Sequence, residues 1–190
     1  RQIRPLTQLV ICNVPHPQGM NRGFSWEQLK RSWYVFFFQI PGLPEALLSR
    51  RDGEALKNVM RDSAVDNSRF PPEVGEVYWR NAMQPGALTA MINYYRALVR
   101  GGGAKRQRAL GMPMIETPTL LVWGEDDIAL TKETTYGTED YVRDLTIRYL
   151  PRVSHWVQQE QPEVVNAMIR AFLLGEAVPE LKWEANLVST

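Results

Sequence analysis

The chain has 190 residues, 44% of them hydrophobic and 23% charged, with a formal net charge of +1. This balance excludes a chain disordered throughout and gives no electrostatic reason to expect a nucleic-acid partner. The lone cysteine, Cys12, excludes an intrachain disulfide and a cysteine-rich zinc site and suits a reducing, cytoplasmic setting. No stretch approaches the ~18 uninterrupted apolar residues of a membrane helix, and the opening RQIR carries no signal-peptide pattern.

Residues 7–14 (TQLVICNV) form a β-branched run with little alternation, which predicts a strand buried on both faces. A long block, residues 20–111, follows without a convincing strand. Within it residues 26–38, 44–60, 72–83 and 88–99 are predicted helices, separated by Pro-Gly pairs and polar loops. Three glycines at 101–103, followed by Lys105, Arg106 and Arg108, read as a solvated exit loop. Residues 119–123 (TLLVW), between Pro118 and Gly124, predict the second strand. Residues 133–145 predict a helix, with Thr131 available as its N-cap, and 146–150 (TIRYL), closed by Pro151, predict the third strand. Residues 162–174 predict a helix with Pro162 in the first turn and Gly175 just past its end. Val165, Met168, Ile169 and Phe172 give that helix one apolar face. The remainder, 176–190, has no period and reads as an irregular tail. Strand–helix–strand–helix order predicts a parallel α/β sheet. The expected division is 1–19 as a sheet strand and hinge, 20–111 as a helical insertion, 112–175 as the rest of the sheet layer, and the tail.

Two histidines are present. His155, in VSHW, follows the third strand, and Asp127, in GEDD, follows the second. Loops at the C-terminal ends of parallel strands are where α/β folds collect catalytic groups. An imidazole with a carboxylate behind it is a general base with its orienter. The plain alternative is a surface Asp and a loop His that never meet. His16, between Pro15 and Pro17, reads as a structural residue at the hinge, and Cys12, inside a strand, as inert packing.

These motifs, taken together, resemble the epoxide hydrolase family of the α/β-hydrolase superfamily. TPTLLVWGEDD resembles its acid loop, VSHWVQQEQPEVVN its histidine loop and last helix, and LVICNVPHP the strand and hinge leading into its cap. RSWYVFFFQIPGLPE and GALTAMINYYRA resemble the two cap segments that carry its epoxide-binding tyrosines. The resemblance covers roughly residues 6–174, and implies the C-terminal part of an α/β-hydrolase fold: three parallel strands with flanking helices and an inserted all-helical cap. It implies His155 as the base that activates water, Asp127 as its orienting acid with Asp126 the alternative, and Tyr34 and Tyr95 as the cap tyrosines. Tyr94 is the alternative to Tyr95, and Trp156 would line the pocket. In a helical block such aromatics are otherwise packing residues.

The family's nucleophile is an aspartate on a sharp strand-to-helix turn, upstream of the strand at 7–14. No Gly-x-Asp-x-Gly, no Gly-x-Ser-x-Gly and no His-Gly-x-Pro run occurs in the chain. The expectation is therefore a half-enzyme, inactive alone, whose partners are a small-molecule epoxide and the missing N-terminal half of the fold. Self-association as a homo-oligomer is the expected fate of its uncovered strand. No metal or organic cofactor is implied. Two other readings stay open: a dehalogenase of the same superfamily, with Trp33 or Trp79 toward a halide, and a non-enzymatic fragment that binds a partner.

Overall fold

In the computed structural model, which describes residues 6–181, the chain runs through thirteen regular elements. They are β1 (Leu9–Cys12), α1 (Pro17–Arg22), α2 (Trp26–Arg31), α3 (Trp33–Phe37), α4 (Leu43–Leu48), α5 (Glu54–Ser63), α6 (Pro72–Ala82), α7 (Ala87–Arg100), α8 (Gly103–Leu110), β2 (Thr119–Gly124), β3 (Leu145–Leu150), α9 (Val157–Glu160) and α10 (Pro162–Leu174), with short 3-10 turns between some of them. Residues 6–23 and 114–181 make one unit, and residues 24–113 make another. Of the expected segments, residues 1–5 of the first and 182–190 of the tail lie outside the described residues.

The first unit is built on a parallel sheet in the order β1-β2-β3. All six residues of β2 are buried, because it has a strand on each side and side chains covering both faces. That is why its sequence is a continuous apolar run. Leu120 and Val122 meet Leu150, Val153, Val157, Val165 and Met168 in the main core, with Val10, Cys12, Ile169 and Phe172 packed against it. Burial pushes the Cys12 thiol up, as suits a packing residue. Helix α10 matches its predicted span and ends as its sequence signals. Gly175 adopts φ +69°, and the Gly175 and Glu176 N–H groups return to Phe172 and Ala171.

Five local expectations change. The first strand is shorter than 7–14, because Asn13 turns to φ +47° and ends it at Cys12. Residues 133–145 form no α-helix. Two 3-10 turns, Lys132–Thr135 and Thr138–Asp140, stand there instead. The Thr134, Thr135 and Thr138 hydroxyls each donate to a carbonyl three residues back, and Gly137 sits at φ +79° between the turns. Such local bonds offer the backbone an alternative to the helical ladder. The glycine-rich exit loop instead leads into helix α8. Lys, Arg, Gln, Ala and Leu are good helix formers, and their charge does not oppose that. Finally, the helix expected over 44–60 is broken, with positive φ at Arg51 and Asp52, and that over 26–38 is interrupted at Ser32.

The helical unit draws α3 and α7 together through polar side chains. Arg96 donates from Nε to the Phe38 carbonyl at 2.9 Å, reaches the Ile40 carbonyl at 3.0 Å, and forks onto both Glu45 oxygens at 2.7 and 3.0 Å. Arg100 donates to the Gln39 carbonyl at 2.8 Å, and the Gln39 amide donates to the Tyr95 carbonyl at 3.2 Å. The orphan carbonyls at the end of α3 are thereby satisfied from α7. An exposed ion pair contributes only about 0–1 kcal/mol. The bidentate, partly buried Arg96–Glu45 pair is the stronger kind, and Arg96 holds the Glu45 carboxyl below its usual range.

Among the described residues β1 has no strand on its outer side, which leaves a row of backbone groups unpaired. The purified 190-residue chain is expected to self-associate at micromolar concentration. Light scattering that shows a monodisperse monomer, together with one cooperative unfolding transition, would contradict this.

Candidate active site

Strands β2 and β3 lie side by side and parallel, so the loops that leave their C-terminal ends emerge at one edge. The loops are strapped together: Glu125 N–H donates to the Leu150 carbonyl and Asp126 N–H to the Val153 carbonyl, each at 3.0 Å. Gly124 makes this approach feasible, since a Cβ there would stand 2.1 Å from the Ser154 carbonyl oxygen.

The strapping brings Asp127 and His155 together. Asp127 is fully buried, and its Oδ2 lies 2.8 Å from His155 Nδ1. Its Oδ1 accepts from the Ala129 and Leu130 N–H groups at 2.7 and 3.0 Å. Burial works against the charged form, but the His155 hydrogen bond and charge, the Asn13 amide and the Leu130 N–H together hold the carboxyl below its usual range. An ionised carboxylate can only accept, so neutral His155 carries its proton on Nδ1 and presents a lone pair on Nε2. Asp126 is exposed and joins the histidine loop through its backbone N–H. Trp156 stands edge-on to His155, with centroids 5.0 Å apart.

Two buried polar groups at this edge escaped the sequence reading. Asn13 donates from Nδ2 to Asp127 Oδ2 at 2.6 Å. Glu160, fully buried, accepts from the Ser154 N–H at 3.0 Å and so holds the residue before His155. A polar residue directly after a buried parallel strand was a legible signal for Asn13. Glu160 gave none, because a Glu in a polar run looks solvated.

His16 lies elsewhere in this unit. Its Nδ1 accepts from Gln18 N–H at the start of α1, and its ring stacks on Tyr141 at 4.6 Å. In the helical unit, the Tyr34 and Tyr95 rings meet edge to face, 5.6 Å apart, and Phe38 packs on Tyr95 at 5.0 Å. Tyr94 is exposed. Burial, with the neighbouring Tyr94, pushes the Tyr95 phenol up, so it stays protonated at neutral pH. Trp33 sits against Tyr34 and Phe37, whereas Trp79 lies beside Lys57, so the two tryptophans have different ring neighbours.

Epoxide hydrolase 3 of Xenopus tropicalis is 38% identical over 175 residues, which are 88% of this chain and 46% of that protein. Epoxide hydrolase 4 of Mus musculus is 36% identical over 178 residues, 90% of this chain and 48% of that protein. The chain is homologous to the C-terminal part of the epoxide hydrolases. The solved Bacillus megaterium epoxide hydrolase, in complex with an inhibitor, agrees with a TM-score of 0.75 at 25% identity over 89% of this chain and 61% of that one. No protein-family model matches. The chain spans about half the length of the curated relatives it matches, and its sheet and helices are those of part of an α/β-hydrolase fold. Among the described residues no helix is long and apolar enough to cross a membrane.

Proposed function

We propose that this chain supplies the base, its orienting acid and the oxygen-binding tyrosines of an epoxide hydrolase, and that the attacking aspartate comes from residues outside these 190. The observation that carries the reading is the buried Asp127 carboxylate, 2.8 Å from His155 Nδ1 at the ends of adjacent parallel strands. In the first step the aspartate attacks one epoxide carbon, the C–O bond breaks, and the ring oxygen leaves as an alkoxide that takes a proton from a phenol. Tyr34 and Tyr95 donate to that oxygen as it gains charge. In the second step His155 Nε2 removes a proton from water, which adds to the ester carbonyl and releases the vicinal diol. Asp127 stabilises the imidazolium formed on the way, which gives up its proton as the phenolate left by the first step regains one, so base and phenol are both restored. Residues 20–111 act as the helical cap of such an enzyme.

Support also comes from the identity of 36–38% to epoxide hydrolases over most of the chain. The test compares the 190-residue chain with a polypeptide joining it to an upstream hydrolase half that bears a nucleophilic aspartate. Styrene oxide should yield diol with the joined polypeptide and none with the chain alone. Enzyme-like turnover by the isolated chain, or release of halide from haloalkanes without epoxide opening by the joined form, would overturn the reading.

A further inference from the structure

Asn13 is 1% exposed and sits just past β1 with φ +47°, a left-handed conformation that Asn adopts more readily than most residues. Its backbone N–H donates to the Val122 carbonyl at 3.0 Å. Both ends of its carboxamide are engaged. Oδ1 accepts from the Gly124 N–H at 3.1 Å, and Nδ2 donates to Asp127 Oδ2 at 2.6 Å. The amide can adopt only one orientation: flipped, it would set its NH2 against an N–H donor and its oxygen against a carboxylate. Asp127 Oδ2 therefore meets the fixed amide donor as well as the His155 ring nitrogen. Its Oδ1 is bound by two backbone N–H groups, so the carboxylate plane is set from both ends.

We infer that Asn13 is a positioning residue. By occupying one lone-pair direction of Oδ2 it fixes the direction in which Asp127 accepts from His155 Nδ1, and so keeps the imidazole in the single tautomer that the carboxylate dictates, with Nε2 basic. Strand β1 thus contributes, through the residue just past its end, to the pair carried by the loops after β2 and β3. The catalytic consequence rests on His155 being the base. The geometric content does not, so the tautomer can be tested without substrate.

The chain holds two histidines, which makes histidine-15N NMR of the whole 190-residue chain readable, with His155→Gln assigning the signal. Solid-state spectra report the same tautomer from an associated sample. In the unaltered chain His155 should be a single Nδ1–H tautomer. Asn13→Gly deletes the amide but tolerates the left-handed backbone, and Asn13→Asp keeps the shape while replacing the donor with an acceptor. Each is expected to lose the single tautomer and give a mixture, with the far-ultraviolet circular dichroism kept. Retention of the wild-type tautomer in both variants would overturn the inference. The unaltered protein gives a second arm, independent of whether the variants fold. The Asn13 side-chain amide resonance should shift as His155 is titrated. An amide that stays unmoved through that titration would also overturn it.

Discussion

In a polypeptide that joins this chain to a nucleophile-bearing hydrolase half, His155→Gln is expected to accumulate the covalent ester. The base enters after the epoxide carbon has been attacked, so alkylation proceeds while hydrolysis stalls. General-base assistance contributes roughly 10²–10⁴-fold, and Gln has no basic nitrogen to replace it. The surroundings favour survival of the fold. His155 is partly exposed, with its side chain 27% accessible, and the loop that carries it is held by Glu160, by backbone bonds to residues 125 and 126, and by Val153 and Val157 in the core. Intact-mass spectrometry after incubation with an epoxide should show protein plus the mass of the substrate. Unchanged diol production with no adduct would remove His155 from the role of base.

Tyr34→Phe and Tyr95→Phe are expected to slow the preceding step. An alkoxide is strongly basic, and a phenol that remains protonated at neutral pH is a donor ready before the charge forms. Loss of one such donor costs about 10²–10³-fold. Phe keeps the ring, and therefore the edge-to-face contact between the two residues and the packing of Phe38 on Tyr95. That contact is worth only about 0.5–1.5 kcal/mol of stability beyond its area, so an effect through packing would appear in melting temperature, not in rate. Each single variant of the joined polypeptide should alkylate slowly with a nearly unchanged melting curve, and the double variant should nearly cease. Stopped-flow measurement of the alkylation phase decides this. Two variants that alkylate at the unaltered rate would make the tyrosines ordinary packing residues. The assignment to epoxide opening would then lose its main specific support.

Both predictions begin from residues whose neighbours along the chain already marked them. His155 and Asp127 were visible because each follows an apolar run closed by Gly or Pro, and parallel strands deliver their C-terminal loops to one edge. Helix α10 was readable almost to the residue, since its proline, its apolar spacing and its terminal glycine act within a few residues of one another. These are local determinants, and local sequence carries them.

What the tertiary structure decided are the matters settled by groups far apart in sequence or by competition between local forms. Which of the neighbouring carboxylates, Asp126 or Asp127, lies buried against the imidazole turned on how the strapped loops pack. The Asn13 amide reaches Asp127 across 114 residues, and Arg96 caps the end of α3 across 58. No window of sequence contains either pair. Over 133–145 an available N-cap at Thr131 suggested a helix, but threonine hydroxyls that bond back to their own backbone, with a glycine at positive φ, won instead. At 103–110 the reverse held: a basic run after three glycines looked like a loop, and its helix-forming side chains made it a helix. Hydrophobic pattern and end signals therefore determined where the three strands and helix α10 lie. Hydrogen bonds between distant segments decided how its buried carboxylate, imidazole and amide meet, because their partners come from separate elements that only folding brings within 3 Å.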